Sequence, residues 1–131
     1  MWMLDTNICS YILRQRPPSV LQRFRQVPED QLSMSSVVLA ELQFGCSRHP
    51  QGDVIRRDVE DFASRLLVLD WTDATARAYG DLRVHSEKAG TPIGAMDLMI
   101  AAHALSLDAT LVSNNTRHFE RVPQLRLENW V

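Results

Sequence analysis

Trp2-Met3-Leu4-Asp5-Thr6-Asn7 is the stretch on which the fold turns. Three apolar residues are too few for a helix and enough for a buried strand. The run stops on Asp5, the C-terminal end of that strand. Asp, Thr and Asn are residues that cap a helix, so this stretch hands the chain on to a helix over 8–14. A strand that passes into a helix after one polar step is the first half of a β-α-β unit. The same alternation repeats outward. Pro17-Pro18 breaks the chain, and 19–27 reads as a helix with Val20, Leu21, Phe24 and Val27 on one face. A turn at 28–30 leads to a strand over 32–35, then to a helix over 37–47 with Ser36 as its N-cap. A loop at 49–52 precedes an amphipathic helix over 54–66 and a third strand over 67–69. Thr72-Asp73 opens a long helix that reaches about Ala89 and closes at Gly90-Thr91-Pro92. Residues 96–107 are apolar nearly all round and predict a buried helix. A fourth strand covers 110–113, a loop 114–116 and a last short strand 125–127. Helices alternating with short apolar strands predict an α/β fold, with a mainly parallel central sheet flanked by helices on both faces. With no internal repeat or linker, a single domain is expected to fill 1–131.

The composition agrees with that outline. The chain has 131 residues, 45% hydrophobic and 23% charged, which excludes a disordered chain, a collagen and a coiled-coil rod. That length buries enough surface to fold without a disulfide or zinc staple. Cys9 and Cys46 fall short of either framework and are read as buried thiols in a reducing cytosol. No apolar run approaches ~18 residues, as a membrane span needs. The N-terminus lacks a basic region ahead of an apolar stretch, so no signal peptide is read and the expected location is cytoplasmic. The formal net charge of −2 argues mildly against a nucleic-acid binder. The identity of the cations argues the other way, because every basic residue except Lys88 is arginine. A guanidinium forks onto phosphate where an ammonium acts as a point charge. Arg14, Arg16, Arg23 and Arg25 cluster early and are the candidate RNA contacts; the alternative is that they solvate helix faces.

In an open α/β sheet, ligands bind beyond the C-terminal ends of the strands. Asp5 occupies such an end, as does Ser113-Asn114-Asn115. Two further acids stand out for their surroundings. Glu41 has Val37, Val38, Phe44 and Gly45 as its helical neighbours, and Asp97 has Ile93, Gly94, Ile100 and Ala101. A carboxylate among apolar groups is costly unless a cation or hydrogen bonds compensate it. Three such acids suggest a shared ion, and hard oxygen donors without a Cys or His pair select Mg²⁺ or Mn²⁺ over zinc. The plainer readings are a helix cap for Asp5 and a dipole partner for Asp97. A competing chemistry would use two histidines for metal-free RNA cleavage. His103 lies on the apolar helix as a core residue, while His49, His85 and His118 have polar neighbours and read as surface positions. Other phosphate chemistry is excluded: there is no G-x-x-x-x-G-K-[ST] loop, no G-x-G-x-x-G and no G-x-S-x-G elbow.

Four segments in order resemble the PIN-domain family: Met3-Leu4-Asp5-Thr6-Asn7, the stretch from Ser35 to Gly45, the stretch from Pro92 to Ala104, and the stretch from Leu111 to Phe119. The tail from Val122 to Trp130 resembles the ending of the VapC-type toxins of toxin–antitoxin pairs. The resemblance implies a PIN-like fold and an Mg²⁺-dependent endoribonuclease, with Mn²⁺ as a possible substitute, cutting a structured RNA such as a tRNA or rRNA loop. It implies a VapB-type antitoxin as partner and a homodimer within the toxin–antitoxin hetero-oligomer, with no membrane. Carried over by position, Asp5, Glu41 and Asp97 match the catalytic, metal-holding acids. Asn115 matches a fourth catalytic position that is often Asp, and there it supplies a neutral oxygen. Thr6 and Ser113 match hydroxyls that orient the acids. Two rivals stay open: a non-catalytic PIN-like nucleic-acid-binding module, and an unrelated Mg²⁺-dependent phosphohydrolase. The antitoxin is expected on the apolar residues of the first two helices, namely Ile8, Tyr11, Ile12, Leu13, Val20, Leu21 and Phe24.

Overall fold

The computed structural model describes residues 1–90 and 92–131; Thr91, at the expected close of the long helix, lies outside them. Five strands form one sheet: β1 (Trp2–Leu4), β2 (Leu32–Ser35), β3 (Leu67–Leu69), β4 (Thr110–Val112) and β5 (Arg126–Glu128). Their spatial order is β3-β2-β1-β4-β5. Every pairing is parallel, with Trp2 level with both Leu32 and Thr110. Parallel strands need crossovers, and the helices supply them. They are α1 (Thr6–Arg14), α2 (Pro18–Gln26), α3 (Ser36–Arg48), α4 (Gly52–Ala63), α5 (Asp73–Lys88), α6 (Ala95–Ser106) and α7 (Thr116–Phe119). Helices α1 to α4 pack mainly against one another and α5 mainly against α6, with α3 also meeting α6. Right-handed crossovers put such groups on opposite faces of the sheet, because the chain moves outward through β2 and β3 and then returns past β1 to β4.

Three local differences from the sequence expectation have simple causes. Ser35, not Ser36, caps α3: its Oγ accepts from the Val37 amide at 3.1 Å. Strand and cap overlap at this residue, so α3 begins one residue early. The expected loop at 114–116 runs at Thr116 into α7, a single turn too short to show a period. The last strand lies one residue later than expected.

The core is continuous from Met3 and Leu4 through Ile100, Leu111 and Phe119. Ala101, Ala102 and Ala104 on α6 are fully buried, and the exposed apolar residues Met96 and Leu107 lie at or just past its ends. Ile8, Ile12 and Val20 are buried, while Tyr11, Leu13, Leu21 and Phe24 pack against the core from its edge. Phe24 meets Phe62 with ring centroids 5.8 Å apart. Of the apolar face expected to await a partner, Ile8, Ile12 and Val20 are therefore spent within the chain, while Tyr11, Leu13, Leu21 and Phe24 stay half-buried. Glu128 latches the C-terminal segment. Its Oε2 accepts from Trp2 Nε1 at 2.9 Å, and its Oε1 accepts from Trp130 Nε1 at 3.2 Å and from Arg23 at 2.8 Å. Among the described residues, no helix is long and apolar enough to cross a membrane.

Candidate active site

The strand order reverses at β1, so the crevice beyond the ends of β1 and β4 is the switch point where such sheets bind ligands. Asp5 follows β1 there and Ser113 follows β4. Asp5 is buried, and its Oδ1 accepts from the Ile8 amide at 2.9 Å, which makes it the N-cap of α1. The plain reading of Asp5 as a cap and the reading of it as a site acid thus describe one residue. Ser113 adds a side-chain hydrogen bond to Asp5 and accepts from the Asn115 amide at 2.9 Å.

The electrostatics of Asp5 are unusual. Its pKa is raised from the ordinary 3.8 to about 6. Burial is the main cause; the hydrogen bonds from Ser113 and Ile8 pull the other way, and the charges of Asp97 and Glu41 push it up further. Those two acids therefore share an electrostatic environment with Asp5. Glu41 sits inside α3 and accepts from Thr6 Oγ1 at 2.5 Å, which ties α3 to the first turn of α1. Asp97 lies in the first turn of α6, a favourable place for an anion in the helix dipole. The apolar flanks of Glu41 do not mean burial: Phe44 is 63% exposed, and Glu41 itself is half-buried.

One site residue was missed in the sequence. His118, read as a surface position, stands on α7 half-buried beside the acids. Its Nδ1 is 3.0 Å from Asn115 Nδ2 and 3.6 Å from Asp97 Oδ2. The one available signal is its place three residues after Asn115, which a single helical turn brings back to the same side. The rival histidine pair does not assemble. His103 is buried with Nδ1 2.7 Å from Ser35 Oγ, and burial lowers its pKa. His49 accepts from the Gln51 amide in its own loop. Cys9 and Cys46 are free buried thiols, and burial together with nearby Asp5 pushes the Cys9 thiol up.

The structure thus brings Asp5, Thr6, Glu41, Asp97, Ser113, Asn115 and His118 to one end of the sheet. Neither Arg14 nor Arg23 stands among them. Arg14 closes α1, and a helix of 9 residues sets it about 13 Å from the Asp5 end. Arg23 is engaged by Glu128 and lies 5.4 Å over the Trp130 ring. Arg16 and Arg25 are exposed. The donors at the crevice are carboxylate, amide and hydroxyl oxygens, which suit a hard divalent cation. As the side chains stand, no three Asp, Glu, His or Cys groups among the described residues form a ready cage.

Comparison with known proteins agrees with this geometry. The PIN domain family model matches residues 2–125. The ribonuclease VapC2 of Haemophilus influenzae is 44% identical over 132 residues, spanning 99% of this chain and 98% of that protein. The tRNA(fMet)-specific endonuclease VapC of Shigella flexneri is 41% identical over 129 residues, spanning 98% of this chain and 97% of that protein. Among solved structures, VapBC2 from Rickettsia felis, bound to a DNA fragment from its promoter, contains a chain that superposes with a TM-score of 0.94. The identity there is 40%, over 99% of this chain and 98% of that one.

Proposed function

The chain belongs to the PIN-domain family, and from that premise we propose that it is the ribonuclease toxin of a toxin–antitoxin pair. The observation that carries the reading is the convergence of Asp5, Glu41 and Asp97 at the switch point of the sheet. Three acids drawn together there, one of them buried, are costly for the fold and useful for holding a cation. Asp5, Glu41 and Asp97 would hold Mg²⁺, for which Mn²⁺ can substitute, and Asn115 adds a neutral oxygen. When bound, such an ion polarises a phosphoryl oxygen and lowers the pKa of a water.

The remaining work belongs to the chain's own groups. The Ile8 amide and Ser113 fix the Asp5 carboxylate, so it needs little reordering when substrate arrives. Thr6 holds Glu41. Ser113 fixes the Asn115 backbone, and His118 engages its side-chain amide. Without a bound ion Asp5 is half-ionised near pH 6, so the crevice gains negative charge, and with it its hold on a cation, as the pH rises through that value. With water as nucleophile, the products carry 5′-phosphate and 3′-hydroxyl ends, and no 2′-hydroxyl is consumed.

The substrate proposed is a structured RNA, selected by shape and backbone contacts. The Shigella flexneri relative is named for tRNA(fMet), which makes initiator tRNA the first RNA to test. Arg14, Arg16, Arg23 and Arg25 would contact RNA away from the reaction centre. The partner proposed is a VapB-type antitoxin, as in the Rickettsia felis complex. The purified chain should cut an initiator-tRNA transcript at a discrete position with Mg²⁺ and leave it whole with EDTA. Co-expression with the product of the adjacent small reading frame should suppress the cut. An intact transcript under all metal conditions would favour the non-catalytic binding module.

A further inference from the structure

His118 brings a nitrogen base to a crevice otherwise built of acids, hydroxyls and an amide. Its Nδ1 is within hydrogen-bond distance of Asn115 Nδ2 at 3.0 Å, and Asp97 Oδ2 is farther off at 3.6 Å. An amide nitrogen only donates, so Nδ1 is the acceptor and the ring proton of the neutral imidazole sits on Nε2. The side chain is 43% exposed, and with Nδ1 turned to Asn115 it is Nε2 that is free of that bond. A phosphodiester entering this crevice meets three carboxylates of its own sign. An N–H beside them offers the phosphate a hydrogen bond without adding to the repulsion.

Resting on the ribonuclease reading, we infer that His118 is a substrate-contacting residue whose Nε2–H donates to a phosphate oxygen of the RNA at the point of cleavage. Asn115 then has two tasks: it offers its own oxygen to the site, and it sets the tautomer that leaves His118 a donor toward substrate.

The test compares His118→Ala, His118→Gln and His118→Asn in the full chain with an initiator-tRNA transcript. A glutamine amide nitrogen reaches the place of Nε2, whereas an asparagine amide stops near the place of Nδ1. The Ala and Asn variants are expected to lose roughly 10- to 100-fold in kcat/KM, the effect of one hydrogen bond to a charged group. The Gln variant is expected to recover most of it, with melting temperatures of all three near wild type. In an Asp5→Asn background that cannot cut, His118→Ala should weaken binding of the same transcript. Wild-type kcat/KM in His118→Ala, or recovery by Asn as full as by Gln, overturns the inference while leaving the ribonuclease reading standing. Failure of the wild-type chain to cut any RNA overturns that reading instead.

Discussion

Replacing Asp5 by asparagine should make the protein more stable and inactive, and the gain should depend on pH. Folding raises the pKa of this carboxyl from 3.8 to about 6, so the folded state binds the proton more tightly than the unfolded chain. The sign follows: ionised Asp5 opposes folding, the cost is absent below about pH 4, grows between about pH 4 and 6, and stands in full above that. The displacement corresponds to about 3 kcal/mol. Asparagine keeps an oxygen for the Ile8 amide and offers its nitrogen to Ser113, so the cap survives and only the charge is lost. Fitting the extra N–H subtracts about 1 kcal/mol. Urea denaturation in EDTA should therefore show Asp5→Asn more stable than wild type by about 2 kcal/mol at pH 8, with the gain lost as the pH falls toward 4 and slightly reversed there. Asp5→Ala should gain about 1 kcal/mol less, because the cap goes with the charge. Equal stability at pH 8, or a difference that ignores pH, would refute the desolvation argument for this acid.

Other perturbations probe the metal and the frame. Adding millimolar Mg²⁺ to EDTA-treated protein should raise the melting temperature of wild type and leave that of Asp97→Asn unmoved, as linkage requires of an ion bound only by the folded state. Gly52→Ala should cost about 1–3 kcal/mol in urea without altering the cleavage position, because a Cβ there would lie 2.1 Å from the Cys46 carbonyl oxygen. Glu128→Ala should destabilise by about 1–3 kcal/mol and shift tryptophan emission to longer wavelength, since two indoles and Arg23 lose their common acceptor.

The strand ending at Asp5 was legible because apolar residues give way to an acid with no intervening turn. The parallel sheet was legible because each strand was separated from the next by helical sequence. Ser35 and Ser36 could not be told apart as caps, since both are good caps and the choice depends on where the strand lets go. The apolar face of α1 and α2 was visible, but its use was not. Ile8, Ile12 and Val20 turn inward because the two helices pack on one another, a fact of tertiary placement. Glu41 was singled out on its apolar flanks, yet what holds it is Thr6, remote in sequence and adjacent only once β1 and β2 pair. His118 was hidden for the same reason. Its polar neighbours resemble those of any exposed turn, and only the placement of α7 against α6 sets it beside Asp97.

The seating of β1 between β2 and β4 bears on how the protein is made. During synthesis β1 emerges ahead of both of its neighbours, β2 and β4. Glu41 follows after β2; Asp97, Ser113, Asn115 and His118 come only after β3. Until β4 has emerged and docked, Asp5 is without the Ser113 hydroxyl, and the acids share no crevice. A polypeptide stopped just before Leu111 therefore carries Asp5, Glu41 and Asp97 without the strand that brings Ser113, Asn115 and His118 to them. The site is thus closed by the strand that docks on the second side of β1, and a chain lacking β4 is expected to be inert.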